Sequence, residues 1–297
     1  MKIYLVNDCS YWPGLNIRHA GCAAVIASLR RRIEAAGHTI VHTCPRPQGP
    51  VLEQIKDCDW MIVNGEGTFR DEALDHEPGR IRRLREGMHI AKCEGKRVSL
   101  VNTVWCNMAG SDAWEDLLNW IDDISAREPA SQAALAKLGQ RHDVQVHPDE
   151  AYFLPTAFKP ASSVRNGIVL GDIYDWNMKA SDRCKIVEGS QWNKAVGLNG
   201  GLNWQTVVGE LCHASLYITG QHHGVYAACK ARCPFVCGKV NTHKLSSLFE
   251  WAGVNIPFFT TADECLEQVR TVNDRQGEFE KLFTFLEEQT PWAIPVS

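Results

Sequence analysis

The stretch Asp59-Trp60-Met61-Ile62-Val63-Asn64-Gly65-Glu66-Gly67-Thr68-Phe69-Arg70 decides how the rest of the chain reads. An apolar run of strand length, Trp60 to Asn64, meets two glycines that bracket a carboxylate, and a helix-like segment follows about ten residues later. In an open α/β sheet such a place lies at the carboxyl end of a strand, where ligands bind. Glycine there lets backbone N–H groups approach a phosphate or sugar without a Cβ in the way. An ordinary strand-to-helix turn would also need glycine, but it would not need Glu66, Thr68 and Arg70 together.

Working outward, 297 residues are too many for one typical core and suit two α/β domains of about 150 residues each. With 44% apolar residues each can bury a sizeable interior. A formal charge of −4 and a pI near 6.3 exclude a broad nucleic-acid surface, so any anionic ligand must be met by local clusters. The 12 cysteines contain no C-x-x-C pair and fall mostly inside apolar patterns, which reads as reduced thiols. Cys229, Cys233 and Cys237 stand at helical spacing, but Pro234 should end the helix among them, and no metal site is expected. The opening Met-Lys-Ile-Tyr-Leu-Val is apolar only until Asn7-Asp8, too short for a signal-peptide core, and no run reaches the ~18 apolar residues of a membrane span. A cytoplasmic protein is the expectation.

Along the first half, strands are expected over 2–7, 39–43, 60–64, 98–104 and 144–146, and Asp122 to Glu128 passes from a strand into the start of a helix. Helices alternate with them over 20–36, 51–56, 80–93, 113–121 and 131–139. The alternation implies a parallel, helix-covered sheet. The long connection Asp8 to His19 carries Trp12-Pro13-Gly14, Asn16, Arg18 and His19 and suits a substrate wall or lid, or else a solvated cover. Arg80, Arg82, Arg83 and Arg85 invite a phosphate, yet they span the helix circumference, which favours a solvated face. A peripheral contact of this helix with a membrane or an anionic polymer stays open.

Residues 155–166, with Pro155, Pro160 and Ser162-Ser163, break the pattern and read as a linker between a first domain, 1–154, and a second, 167–297. The alternation then restarts. Strands are expected over 167–170, 195–198, 216–219 and 235–237, and helices over 178–187, 204–213, 225–231 and from Lys244 to Ala252. The last forty residues read as helical, ending in Pro291 to Ser297, and a terminal helix crossing back to the first domain is the usual arrangement in such pairs. The strand 216–219 ends in Gly220-Gln221-His222-His223-Gly224.

Two strand ends therefore carry the chemistry, Asn64–Thr68 and Gly220–Gly224. In two sheets facing across a cleft both would meet the ligand. Glu66 is the best carboxylate for general acid or base work because the flanking glycines expose it. Of the adjacent His222 and His223, one reaches the ligand and the other packs. A histidine at a helix N-terminus has its charged form disfavoured, which suits a neutral hydrogen-bonding or proton-transfer role. Lys244, entering a helix after Asn241-Thr242, makes a phosphate contact. Arg127 and Glu128 read equally well as an internal ion pair.

The pieces Val63 to Thr68, Leu100-Val101-Asn102-Thr103-Val104-Trp105, Ser125 to Ser131, His147-Pro148-Asp149, Ile218 to Gly224 and Asn241 to Lys244 stand in an order that resembles the polysaccharide pyruvyl transferase family. The resemblance implies two Rossmann-like doubly wound domains arranged as in GT-B glycosyltransferases. It also implies transfer of a pyruvyl group from phosphoenolpyruvate to a sugar of a cell-surface polysaccharide. No cofactor or metal beyond the donor is implied. On the residues that match, Glu66 would act as base or orient the acceptor and His223 would donate or shuttle a proton. Lys244 with Arg70 or Arg18 would hold the anionic donor. Asn64, Gly65, Gly67, Thr68, Asn102, Gly220, Gln221, His222 and Gly224 would complete the binding set.

One position departs from the family's pattern. Where the second-domain motif usually carries Arg, this chain has Gln221, which can hydrogen-bond an oxyanion but adds no charge. A nucleotide-sugar donor, such as a CMP-activated acidic sugar, is the alternative. A glycan- or nucleotide-binding protein without catalysis is the reading from another class. The acceptor sugar and oligomeric state are not legible.

Overall fold

In a computed structural model, the structure describes residues 1–10, 19–70, 79–106, 114–139, 141–158, 165–174, 178–199 and 201–296. Within these, the side chains of Gly67, Thr68 and Arg70 are left undescribed. Two compact units result: Met1–Asn16, Val25–Phe153 and Thr290–Ser297 form the first, and Ile17–Ala24 with Leu154–Gln289 the second. The main division falls between Phe153 and Leu154, and the short piece ending at Ala24 clusters with the second unit. It is an extended tail from Thr290, rather than a terminal helix, that joins the first unit.

The first unit contains β1 (Lys2–Asp8), most of α1 (Ala20–Ala35), β2 (Thr39–Pro45), α2 (Leu52–Asp57) and β3 (Trp60–Arg70). It continues through α3 (Arg80–Cys93), β4 (Arg97–Cys106), α4 (Glu115–Trp120), β5 (Asp123–Ala126), α5 (Pro129–Leu138) and β6 (Gln145–Val146). Among the described residues the strands form one sheet in the order β2-β1-β3-β4-β5-β6, every pair parallel. Successive side chains on a strand point to opposite faces. Tyr4, Val6, Met61, Val63, Val98 and Leu100 accordingly pack with Ile55, Ile81, Leu84, Met88 and Leu118 of the helices, all nearly inaccessible to water. The strands read as continuous apolar runs because both faces of a parallel sheet are covered. Trp60 is fully buried, donates from Nε1 to Ser99 Oγ at 2.9 Å, and meets Trp292 of the tail edge-on at 5.8 Å. His147 and His38 donate to the carbonyls of Thr290 and Pro295, each at 2.8 Å, and fix the same tail.

The second unit contains β7 (Ile168–Leu170), α6 (Ala180–Gly189), β8 (Lys194–Ala195), α7 (Trp204–His213), β9 (Leu216–Thr219) and α8 (His222–Lys230). After these come β10 (Phe235–Gly238), α9 (Lys244–Ala252), β11 (Phe258–Phe259), α10 (Ala262–Arg270) and α11 (Gln276–Glu287). Its sheet runs β11-β10-β9-β7-β8, again parallel throughout. Both units are therefore Rossmann-like α/β units. No helix among the described residues is long and apolar enough to cross a membrane.

The strand order reverses direction between β1 and β3 in the first unit and between β7 and β9 in the second. In open α/β sheets the ligand crevice opens at such a switch point, beyond the strands' carboxyl ends. β3, which contains Asn64 to Thr68, and β9, which leads into Gly220 to Gly224, each border one.

Three local expectations change. β3 does not turn at Gly65 but runs on to Arg70, paired with β4 through Phe69 and Trp105. α8 begins at His222, so the two histidines occupy its first turn instead of preceding it. Arg80 is 2% exposed, so α3 is not solvated on all sides.

Candidate active site

In the first unit the carboxyl-terminal halves of three adjacent strands carry a residue each in the left-handed region: Asn7 at φ 63°, Glu66 at φ 39° and Asn102 at φ 54°. Such a conformation is costly for a side chain with a Cβ, and Asn tolerates it best. Hydrogen bonds hold the arrangement. Asn7 Nδ2 donates to the Asn64 carbonyl at 2.6 Å, and Asn102 Nδ2 donates to Asn64 Oδ1 at 3.0 Å. Asn102 Oδ1 accepts the Glu150 N–H at 3.1 Å, and the Asn102 N–H donates to Ser125 Oγ at 3.2 Å. Asn64 and Asn102, expected as ligand contacts, here connect β1, β3, β4 and the 3₁₀ turn Glu150–Phe153 to one another.

Gly65 has a reason of its own. A Cβ there would press on Thr103 of the neighbouring strand, including its backbone Cα, so the glycine serves close strand packing. The pleat is disturbed at this point, with a register shift between Glu66 and Phe69. Glu66 follows Gly65 and is only 5% exposed. A carboxylate held nearly out of water on a strained backbone position is the form that acid–base groups take.

Beneath these residues lies a charged layer the sequence did not announce. Glu150 is buried, takes both carboxylate oxygens to Arg32 Nη1 at 2.7 and 2.8 Å, and accepts from Ser28 Oγ at 2.7 Å. Burial pushes its carboxyl up and Arg32 opposes the shift. Arg127 pairs with Asp149, both buried, rather than with Glu128, which accepts instead from Ser131 Oγ.

In the second unit the β9 end is built by short contacts. The Gly220 N–H donates to the Asp172 carbonyl at 2.7 Å, and the Gln221 N–H to Thr219 Oγ1 at 3.1 Å. A Cβ at Gly224 would collide with Thr219, so helix α8 can start this close to its strand only with glycine there. His223 is 2% exposed, while His222 is half-buried. The His223 ring lies against Gly21, where any Cβ would run into the imidazole, and sits 5.1 Å from the His19 ring. Ala20 N–H donates to the Leu198 carbonyl at 2.8 Å and anchors this segment.

His19 was legible only as part of a loop, and Gly21 not at all. Both become visible once the start of α1 is seen beside His223. His19 Nδ1 accepts the Cys22 N–H at 3.2 Å, so the neutral ring carries its proton on Nε2 and donates to Gln221 Oε1 at 2.6 Å. Gln221 is 6% exposed, and its Nε2 has no acceptor among the described residues. A ring nitrogen of His19, the Cys22 sulfur and a ring nitrogen of His223 lie within 4.8 Å of one another, the donor types zinc takes. Both His19 nitrogens already take part in hydrogen bonds. Lys244 opens α9, half-buried, with Nζ donating to Asn241 Oδ1 at 3.2 Å. Arg18 lies outside the described residues.

The model of the family described as "Polysaccharide pyruvyl transferase" matches residues 19–237. A search of curated proteins finds no match. Among solved structures, the chain is similar to a putative UDP-N-acetylglucosamine 2-epimerase from Listeria monocytogenes, with a TM-score of 0.57 at 10% identity over 100% of this chain and 93% of that one. It is also similar to the UDP-GlcNAc 2-epimerase of Methanocaldococcus jannaschii in complex with UDP-GlcNAc and UDP, with a TM-score of 0.54 at 12% identity over 97% and 99%. A third is UGT2 of Phytolacca americana complexed with UDP-2fluoro-glucose and pterostilbene, with a TM-score of 0.50 at 9% identity over 96% and 94%. At these identities the likeness is one of fold, the GT-B type.

Proposed function

Because the chain belongs to the polysaccharide pyruvyl transferase family and is a transferase of polysaccharide modification, we propose that it moves a pyruvyl group from phosphoenolpyruvate to a sugar hydroxyl, in the cytoplasm. The observation that carries the reading is that the matched span contains both stretches beside the switch points, each of which keeps a titratable residue, Glu66 in β3 or His223 in α8, almost wholly out of water.

The reaction divides into steps these groups can serve. A proton added to the methylene carbon of the enol leaves a cationic carbon, which a sugar hydroxyl attacks as it loses its own proton. The C–O bond to phosphate then breaks, and a second hydroxyl closes the ketal with loss of another proton. In this account Glu66 takes the hydroxyl proton or orients the acceptor, and His223 delivers or shuttles the proton to carbon. Lys244 with Arg70 or Arg18 meets the donor's charge.

Gln221 in place of the usual arginine favours a second reading with the same fold, in which the donor is a nucleotide sugar. UDP is bound in structures of similar fold. Incubating the protein with phosphoenolpyruvate and a panel of saccharides tests the first reading. Release of inorganic phosphate with a new ketal methyl signal in the proton spectrum is expected, and consumption of a nucleotide sugar instead would select the second.

A further inference from the structure

We infer that His19 is a positioning residue that turns the Gln221 side chain so that its amide nitrogen is offered to an oxygen of the donor's oxyanion. The inference rests on the donor-binding role given above to the β9–α8 turn, and on geometry within the second unit alone.

The chain of contacts leaves the amide one orientation. The Cys22 N–H occupies the lone pair of His19 Nδ1, so the neutral imidazole has only Nε2–H to give. That proton goes to Gln221 Oε1 at 2.6 Å. Turning the amide over would set its NH2 against Nε2–H, donor to donor. Gln221 Oε1 is thus spent on His19, and its Nε2, carrying two N–H donors, has no acceptor among the described residues although Gln221 is only 6% exposed. Leaving a buried donor unmade is expensive, and native structures tolerate it where a ligand completes the bond.

The same residue is the N-cap of α8, a helix of nine residues whose first-turn N–H groups and positive dipole end favour an anion. Two independent features therefore point to one chemistry, an oxyanion oxygen. A phosphate or diphosphate would be met here by neutral donors. The charged contact that an arginine would add is replaced by an amide whose direction depends on a histidine three residues before Cys22.

The test is a nitrogen–proton correlation spectrum of the side-chain amides in the full chain, with the Gln221 pair assigned by its disappearance in Gln221→Leu. Phosphoenolpyruvate, UDP and inorganic phosphate are added to separate samples. The Gln221 pair is expected to shift on saturation with phosphoenolpyruvate. In His19→Leu the pair should no longer respond and affinity should fall about ten-fold, the loss of roughly one well-made hydrogen bond. His19→Gln, whose amide can donate in place of Nε2–H, should restore both. A shift with UDP and none with phosphoenolpyruvate would keep the positioning role and overturn the pyruvyl donor. A shift with inorganic phosphate alone, a pair indifferent to all three probes, or a His19→Leu variant that binds and responds like the parent would overturn the inference. Should His19→Leu fail to fold, the parent spectrum decides: a responding pair with His19 protonated on Nε2 supports the inference, and a ring protonated on Nδ1 contradicts it.

Discussion

Asn102 donates from its side-chain amide to Asn64 Oδ1 at 3.0 Å while its own oxygen accepts the N–H of Glu150, from a backbone held at φ 54°. One buried side chain thus fastens two central strands to the turn that carries the Arg32 ion pair. Replacing it by alanine leaves two buried partners unmade, at about 1–3 kcal/mol, and adds about 1–2 kcal/mol for a Cβ in the left-handed region. Asn102→Gly keeps the first cost and escapes the second. Urea unfolding should therefore find Asn102→Gly no less stable than Asn102→Ala, the reverse of the order expected at an ordinary strand position.

Glu66→Gln preserves shape and backbone preference while removing the proton-accepting charge. Turnover should fall roughly 100-fold or more, the lower range for loss of a general acid or base. Donor affinity measured by calorimetry and the melting temperature should be unchanged. Retained turnover would contradict the role given to Glu66.

Gly21→Ala tests the seat of His223. The added methyl would occupy space the imidazole now fills, with the His223 Cβ only 2.5 Å from the built Cβ position, so the ring must move. A drop in turnover of at least about ten-fold is expected, more than the loss of stability in urea would explain. Parent-like activity would show that the ring's position is not required.

His147 gives the first unit a pH dependence. Burial holds its imidazole below the ordinary value of 6.5, against the opposing hydrogen bond to Thr290. A depressed value means that the neutral ring is favoured in the fold. The contribution is fully present above about pH 6.5 and is lost as pH falls through the lower folded value. The urea midpoint should fall on acidification from about pH 7 to about pH 5, and less steeply in His147→Asn. An equal slope in the variant would contradict this assignment.

Much of the fold was legible because parallel strands announce themselves as apolar runs and their ends as polar clusters. β9 and α7 fall where the pattern puts them. What the pattern misses is long-range. That Gly65 answers to Thr103, and that Asn64 and Asn102 bond each other, depends on strands distant in sequence. The first turn of α1 packs by His223, a contact about two hundred residues long, so His19 read only as loop. Glu150 and Arg32 show no periodicity that would pair them. The tail from Thr290 lacks a helix pattern because its carbonyls are satisfied by His147, His38 and Arg32 rather than by its own backbone.

The measurement closest to the central claim is calorimetric titration of the full chain with phosphoenolpyruvate, CMP and UDP in parallel. The account predicts saturable binding of phosphoenolpyruvate, weakened in Gln221→Leu, and none of either nucleotide. Saturable binding of UDP or CMP without any of phosphoenolpyruvate would contradict it and make the chain a glycosyltransferase on the same fold.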